Sequence, residues 1–394
     1  MASPAGAHPR RGRVDDMSKW IAQDGELAAF CRALPAGQGV ALDTEFDWTR
    51  TFYPVFALLQ IGVSREETAL VDALAIQDWS PLAAVLNDAS RPKWVFGGCN
   101  DLPILVRACG GTGRCLPQSI VDLQLSGAFL GESPNQALKK VISADLGIDL
   151  AKSETRSDWT QRPLSEEQLA YAADDVALLP EIAARRLALL EANGNLAAFC
   201  EEMEQFGQPE YYAELREEEA WRRLSGYSHI VSPAERARAR LLATWRERTA
   251  RADNRSRPRV FNDEQLVWMA THWPSDLKEL SRMPKMRTQN LRRYGEAALQ
   301  ALAGETAPPE NPEWQQPQLP PGALGTYRRL VERILGLVEK RGAARQIEHT
   351  FIASRREIET LVSRHLRHAD CSGCRLLHGW RAELLQPALG EILT

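Results

Sequence analysis

Two carboxylates stand two residues apart, Asp43 and Glu45, inside the apolar run VALDTEF at 40–46. The run alternates as a strand does, so both acids leave it on one face. Paired carboxylates on a core strand repel each other, so one is protonated or a cation lies between them. A hard divalent ion takes such oxygens; two solvated acids at a strand end are the alternative. Three more residues suit the same chemistry. Asp101 opens a helix straight after the strand KWVFGG at 93–98, while Tyr171 and Asp175, four apart, share a helix face. Each also has a plain reading: a helix cap for Asp101, a core aromatic with its hydroxyl at the surface for Tyr171, a solvated acid for Asp175.

The elements that position these residues can be read in order. A short helix at 24–34 leads into the strand at 39–46, the polar turn DWTRTFY comes after it, and strands at FALLQIGV and TALVDA come next. Strand–turn–strand–strand describes a meander rather than successive βαβ units. Short strands and helices then alternate, which predicts an α/β front domain with a mixed sheet. Ser165 and Gln168 have capping-box spacing at the start of the helix carrying Tyr171 and Asp175. Pro180 should kink or break that helix, and Asn193-Gly194 should end the helical stretch beyond it.

A chain of 394 residues implies two or three domains, and 44% hydrophobic with 25% charged residues describes a soluble protein with ample core. No run approaches a membrane span, and the tail MASPAGAHPRRGR lacks the apolar segment of a secretory signal. Seven scattered cysteines suit reduced thiols in a cytoplasmic protein. No GxxxxGK[ST] occurs, so neither an ATP-driven helicase nor a nucleotide cofactor is expected. The net charge of −4 is uneven: 231–300 hold 15 basic against 8 acidic residues, and 323–394 hold 12 against 8. An acidic front with two basic helical modules behind suggests a polyanion held by the back and processed by the front; solvated helix faces are the plain reading. The expected divisions are a disordered tail (1–14), a catalytic domain (15–205), a helical joint (206–230), a first helical module (231–306), a Pro-rich linker (307–322) and a second module (323–394).

DTEF, GGCNDL and YAADDV together resemble the three exonuclease motifs of the DEDD superfamily, in the subgroup with a tyrosine four residues before the last aspartate. ALDTEFDWTRTFYP, LLQIG, KSETRSDWTQRPLSEEQLAYAADDV and LLHGWRAELL extend the resemblance to the ribonuclease D family, and the basic modules are similar to its HRDC domains. The resemblance implies an α/β RNase H-like exonuclease core with a mixed sheet of about five strands, followed by two all-α HRDC-like helical domains. It further implies a metal-dependent 3′→5′ exoribonuclease that trims tRNA precursors and other structured RNAs with free 3′ ends, releasing nucleoside 5′-monophosphates. Asp43, Glu45, Asp101 and Asp175 would hold two divalent ions, Mg²⁺ or Mn²⁺ rather than Zn²⁺ because the set is all oxygen. Tyr171 would orient the attacking water. Asp174 would point about 100° away from Asp175 around the helix. Members often carry a histidine where this chain has Phe96, which touches substrate contacts rather than the acids.

Substrate contacts are expected from Thr44 and Phe46 beside the acids, from Gln60 on the next strand, and from Lys152, Trp159 and Arg162 (with Arg156) as phosphate charge and a stacking ring. Plain readings stand beside two of these: a packed edge glutamine, and a loop pinned to the core by Trp159. His365, His368, Cys371 and Cys374 have zinc-like spacing but are compressed into ten residues, against the two separated pairs of a zinc finger. Two other functions compete: a DNA 3′→5′ exonuclease of the same chemistry, and a non-catalytic RNA-binding scaffold. The intact acid set argues against the scaffold.

Overall fold

The computed structural model describes residues 18–149, 157–304 and 319–394. The N-terminal tail, Lys152 with Arg156, and most of the Pro-rich linker lie outside the described residues. No described helix is long and apolar enough to cross a membrane.

The front of the chain runs β1 (Ser18–Ile21), α1 (Asp24–Ala33), β2 (Val40–Asp47), β3 (Val55–Gly62), β4 (Thr68–Asp72), α2 (Ser80–Asn87), β5 (Lys93–Val95), α3 (Asp101–Ala108), β6 (Ile120–Asp122) and α4 (Leu123–Ala128). Helices α5 (Leu138–Leu146), α6 (Glu166–Ala177), α7 (Leu179–Ala192) and α8 (Leu196–Met203) complete it. Six strands form one mixed sheet in the order β1-β4-β3-β2-β5-β6. The meander holds for β2, β3 and β4, with β3 and β4 antiparallel, while β1 pairs parallel with β4 and β5 with β2 and β6. The strand missed by sequence reading is β1, which has only SKWI to show and whose Lys19 and Trp20 stay exposed. It is too short and too wet to show a strand pattern.

Behind these come four 3-10 turns between Glu204 and His229, then α9 (Pro233–Ala252), α10 (Arg257–Val260), α11 (Asp263–His272), α12 (Leu277–Leu280) and α13 (Thr288–Gly304). The C-terminal part holds α14 (Leu324–Arg345), α15 (His349–Ile352), α16 (Arg355–Leu366), α17 (Gly379–Leu385) and α18 (Ala388–Leu393).

Two compact units result, neither continuous in sequence. One comprises residues 1–45, 56–212 and 325–394; the other comprises 46–55 and 213–324. In the first, the C-terminal helices share the core of the sheet domain. Phe129 is fully buried and meets Phe199, Phe351 and Trp380 with ring centroids 5.6, 5.4 and 5.1 Å away. Polar contacts reinforce this junction: Glu348 N donates to Ala128 O at 2.7 Å, and Asn195 Nδ2 donates to Phe129 O and Arg345 O at 2.9 and 2.7 Å. Arg381 Nη1 bonds Glu202 at 2.5 Å. The second unit packs Trp245, Phe261, Leu266, Met269 and Tyr294 into a core of its own.

Candidate active site

Strand β2 delivers Asp43 and Glu45 half-buried, with Thr44 buried between them and Leu42 buried just before. Asp101 opens α3 and is 8% exposed, as is Asp175 on α6. Helix α6 begins with the expected capping box: Gln168 N donates to Ser165 Oγ at 3.2 Å, and Ser165 N to Gln168 Oε1 at 3.0 Å. It stops at Ala177, and Pro180 falls in the first turn of α7, where its missing N–H costs nothing. Gly62 lets α6 lie directly on β3, because a Cβ there would come within 2.5 Å of Val176 O. That close approach carries Asp175 and Tyr171 to the face that bears Asp43.

The carboxylates form one electrostatic group. Burial, then the charges of Asp101, Asp175 and Glu45, hold Asp43 well above the usual carboxylate range. Glu45 is pushed up to about 8 by burial and by Asp175 and Asp101. Burial raises Asp175 to about 7, against the pull of the Tyr171 hydroxyl, and raises Asp101 to about 6, against the hydroxyl of Thr44. Among the described residues none of the four is paired with a lysine or arginine; burial is the first cause of every shift, and the charges that add to it are all carboxylates, Asp122 for Asp101 and Asp174 for Asp175. A cluster of oxygen donors lacking a countercharge is chemically fitted to a divalent cation. Among the described residues, no three His, Cys, Asp or Glu side chains already stand at the spacing of one ion's ligand shell. The four acids share a field without converging on a point. Tyr171 is raised by burial and by the neighbouring Asp175 and Glu45, so its hydroxyl keeps its proton.

The expected substrate contacts fare differently. Thr44 is buried and its hydroxyl donates to Asp101 Oδ1, which fixes the rotamer of that acid. Phe46 is half-buried, edge-on to Trp48 at 5.8 Å. Gln60 is fully buried in β3, an interior strand, and neither end of its amide has a partner. It therefore cannot reach a nucleotide. Trp159 is 3% exposed and lies against Tyr171, so it offers no stacking face. Arg162 is spent on the protein: Nε and Nη2 bond Asp72 at 2.9 and 2.5 Å, Nη1 bonds Trp159 O at 2.8 Å and Nη2 bonds Ala57 O at 2.7 Å. These groups clamp the segment before α6 to β3 and β4. Phe96 packs beside Ala41, Leu123 and Val176 as core.

Sequence reasoning missed Asp122. It is 2% exposed, caps α4 through Gln124 N at 2.9 Å, and accepts from Gly97 N and Gly98 N at 2.9 and 3.1 Å. Those bonds hold the turn before Asp101, where Gly97 adopts φ 71°, a backbone that favours glycine. An aspartate directly before LQL was a visible capping signal, but nothing in the spacing tied it to Asp101.

Three family models match the chain: a 3′-5′ exonuclease over residues 18–187, an HRDC domain over 235–302, and a ribonuclease D C-terminal HRDC domain over 325–389. Ribonuclease D of Escherichia coli is 34% identical over 376 residues, 95% of this chain and 97% of the relative. Ribonuclease D of Pseudomonas paraeruginosa is 32% identical, over 94% and 96%. The crystal structure of Escherichia coli RNase D, described as an exoribonuclease involved in structured RNA processing, superposes with a TM-score of 0.81 at 32% identity, covering 95% of this chain and 98% of that one. The catalytic core of RRP6 from Trypanosoma brucei shares the fold at a TM-score of 0.60 and 19% identity, over 73% and 79%.

Proposed function

The chain belongs to the ribonuclease D family and is a 3′-5′ exoribonuclease; on that footing we propose that it trims the 3′ ends of structured RNAs, tRNA precursors above all, releasing nucleoside 5′-monophosphates by divalent-metal-assisted hydrolysis. One observation carries the reading: burial and the charges of Asp101 and Asp175 raise both Asp43 and Glu45, with no lysine or arginine among the described residues to relieve them. These four would hold two Mg²⁺ or Mn²⁺ ions. When bound, such ions supply charge at the attacking water and at the leaving 3′ oxygen. The protein's own groups do the rest. Thr44 orients Asp101 from below. Tyr171, protonated beside Asp175, holds the water by its hydroxyl rather than taking a proton from it. The basic surfaces of the HRDC modules support capture of structured RNA. Seven free cysteines support a reducing compartment such as the cytoplasm.

The test is matched RNA and DNA strands with free or phosphorylated 3′ ends, with Mg²⁺, Mn²⁺ or EDTA. Stepwise 5′-monophosphate release from RNA with a free 3′ hydroxyl, stopped by EDTA, is the expected result. Preference for the DNA strand would move the substrate assignment, and undiminished activity in EDTA would remove the metal.

A further inference from the structure

Residues 46–55, the end of β2 and the loop that joins it to β3, belong to the second unit, where the loop is fastened to its helices. Ser256 N donates to Arg50 O at 3.1 Å, and the Ser256 hydroxyl donates to Thr49 O, also at 3.1 Å. Asn254 Oδ1 accepts from Phe52 N and Tyr53 N at 3.2 Å each. The guanidinium of Arg257 lies 4.6 Å over the Phe52 ring. The segment is thus a built wall. Between it, α10 and the residue before α13 lies a cleft of about 390 Å³, lined by Trp48, Thr49, Ser256, Pro258, Arg259 and Arg287.

The lining has a definite chemistry. Trp48 is 58% exposed, although an indole gains by burial, and its edge-on contact with Phe46 steadies the ring. Neighbouring arginines are spent on the fold, Arg257 on Glu247 at 2.5 Å and Arg246 on Asp263 at 2.7 Å. Arg259 and Arg287 are exposed, and among the described residues neither is ion-paired; Arg259 only touches Thr49 O, at 3.4 Å. An acid stands near the cleft in Asp47, with Arg50 at 3.7 Å. One open aromatic face beside two uncommitted guanidinium groups is the combination that holds a stacked base and its phosphates.

Covalent reach sets where that base lies on the strand. Trp48 comes three residues after Glu45, so their backbones are at most about 11 Å apart. At a stacked rise of about 3.4 Å that reach is no more than about three nucleotides. We propose that this cleft is a subsite for single-stranded RNA within about three nucleotides of the 3′ end, with a base on Trp48 and phosphates on Arg259 and Arg287. The inference rests on the exoribonuclease reading for its polarity.

The experiment measures binding of labelled dinucleotide and octanucleotide RNA to the full chain in EDTA, so hydrolysis does not intervene. Trp48→Ala should weaken the octanucleotide at least about fivefold, with the dinucleotide losing less and Trp48→Phe recovering part of the loss. Arg287→Gln, at an exposed position, should flatten the logarithmic salt dependence by roughly 0.7. A photoreactive base third from the 3′ end should crosslink to the peptide holding Trp48. Wild-type octanucleotide affinity and salt slope in both variants, or a crosslink confined to another segment, would overturn the subsite. Binding that depends on Trp48 in a chain that leaves RNA uncut with Mg²⁺ would keep the subsite and remove the hydrolytic reading. RNA degraded normally by a chain in which both variants bind as wild type would do the reverse.

Discussion

Trp159 and Tyr171 lie ring beside ring, centroids 6.1 Å apart and planes tilted by 36°. The hydroxyl of Tyr171 is thereby positioned by a residue that Arg162 grips through its carbonyl at 2.8 Å. Asp72 of β4 in turn holds Arg162. A chain of contacts thus runs from an interior strand to the tyrosine beside Asp175.

Tyr171→Phe should cut turnover on the order of a hundredfold while metal and RNA affinity stay near wild type, because only the hydroxyl is lost. Calorimetric titration with Mn²⁺ alongside single-turnover kinetics separates the two. A collapse of metal affinity would make Tyr171 a support of the carboxylates instead.

Arg162→Lys keeps the charge but loses the fork that spans Asp72, Trp159 and Ala57. The expected result is a lower kcat with nearly unchanged KM, plus a stability loss of roughly 1–3 kcal/mol. Were KM alone to rise, Arg162 would be touching RNA after all.

Asp43→Asn should abolish turnover and raise the melting temperature of the metal-free protein by a few degrees, since one member of a repelling group is neutralised. A destabilised but active variant contradicts both halves.

The pH dependence has a definite sign. Glu45, Asp175 and Asp101 stand near 8, 7 and 6, above their ordinary values, so each binds its proton more tightly folded than unfolded. Stability is full below the ordinary carboxylate range and falls as pH rises through 6 to 8, on the order of 1 kcal/mol per pH unit. Metal-free melting curves from acid to mildly alkaline pH should show that decline. Added Mn²⁺ should reduce it, and a metal-free protein that stabilises as pH rises would refute the shifts.

From charge alone, cutting the chain before Ser232 should detach RNA capture and spare turnover. The shared core changes that outcome. Removal of residues 325–394 uncovers Phe129 and Phe199, so the truncated chain should aggregate or bind a hydrophobic dye. Within the full chain, Trp380→Ala should cost roughly 3–5 kcal/mol, read by denaturant unfolding.

The acids, Tyr171, the capping box at Ser165 and the break at Pro180 were legible because each obeys a local rule of spacing or capping. Gln60 and Arg162 were not, whereas for Trp159 the reading of a loop pinned to the core, held beside that of a stacking ring, is the one that matches its burial. Polarity and charge suggested contact with RNA, whereas burial decides their use, and burial depends on which strand ends up inside the sheet. Asp122 was hidden for the same reason, since its bonds to Gly97 and Gly98 cross between segments 24 residues apart. The union of the C-terminal helices with the sheet domain left no local trace, because an apolar helix face does not name its partner.

The aromatic centre at Phe129 sets a condition on synthesis. Its neighbours Phe351 and Trp380 are made last, and at about 5–20 residues per second the intervening ~220 residues take roughly 10–45 s to emerge. Throughout that interval the nascent sheet domain carries an uncovered greasy face, a natural handle for chaperones. A message cut short leaves that face permanently bare, so degradation of the fragment is favoured over release of a working nuclease.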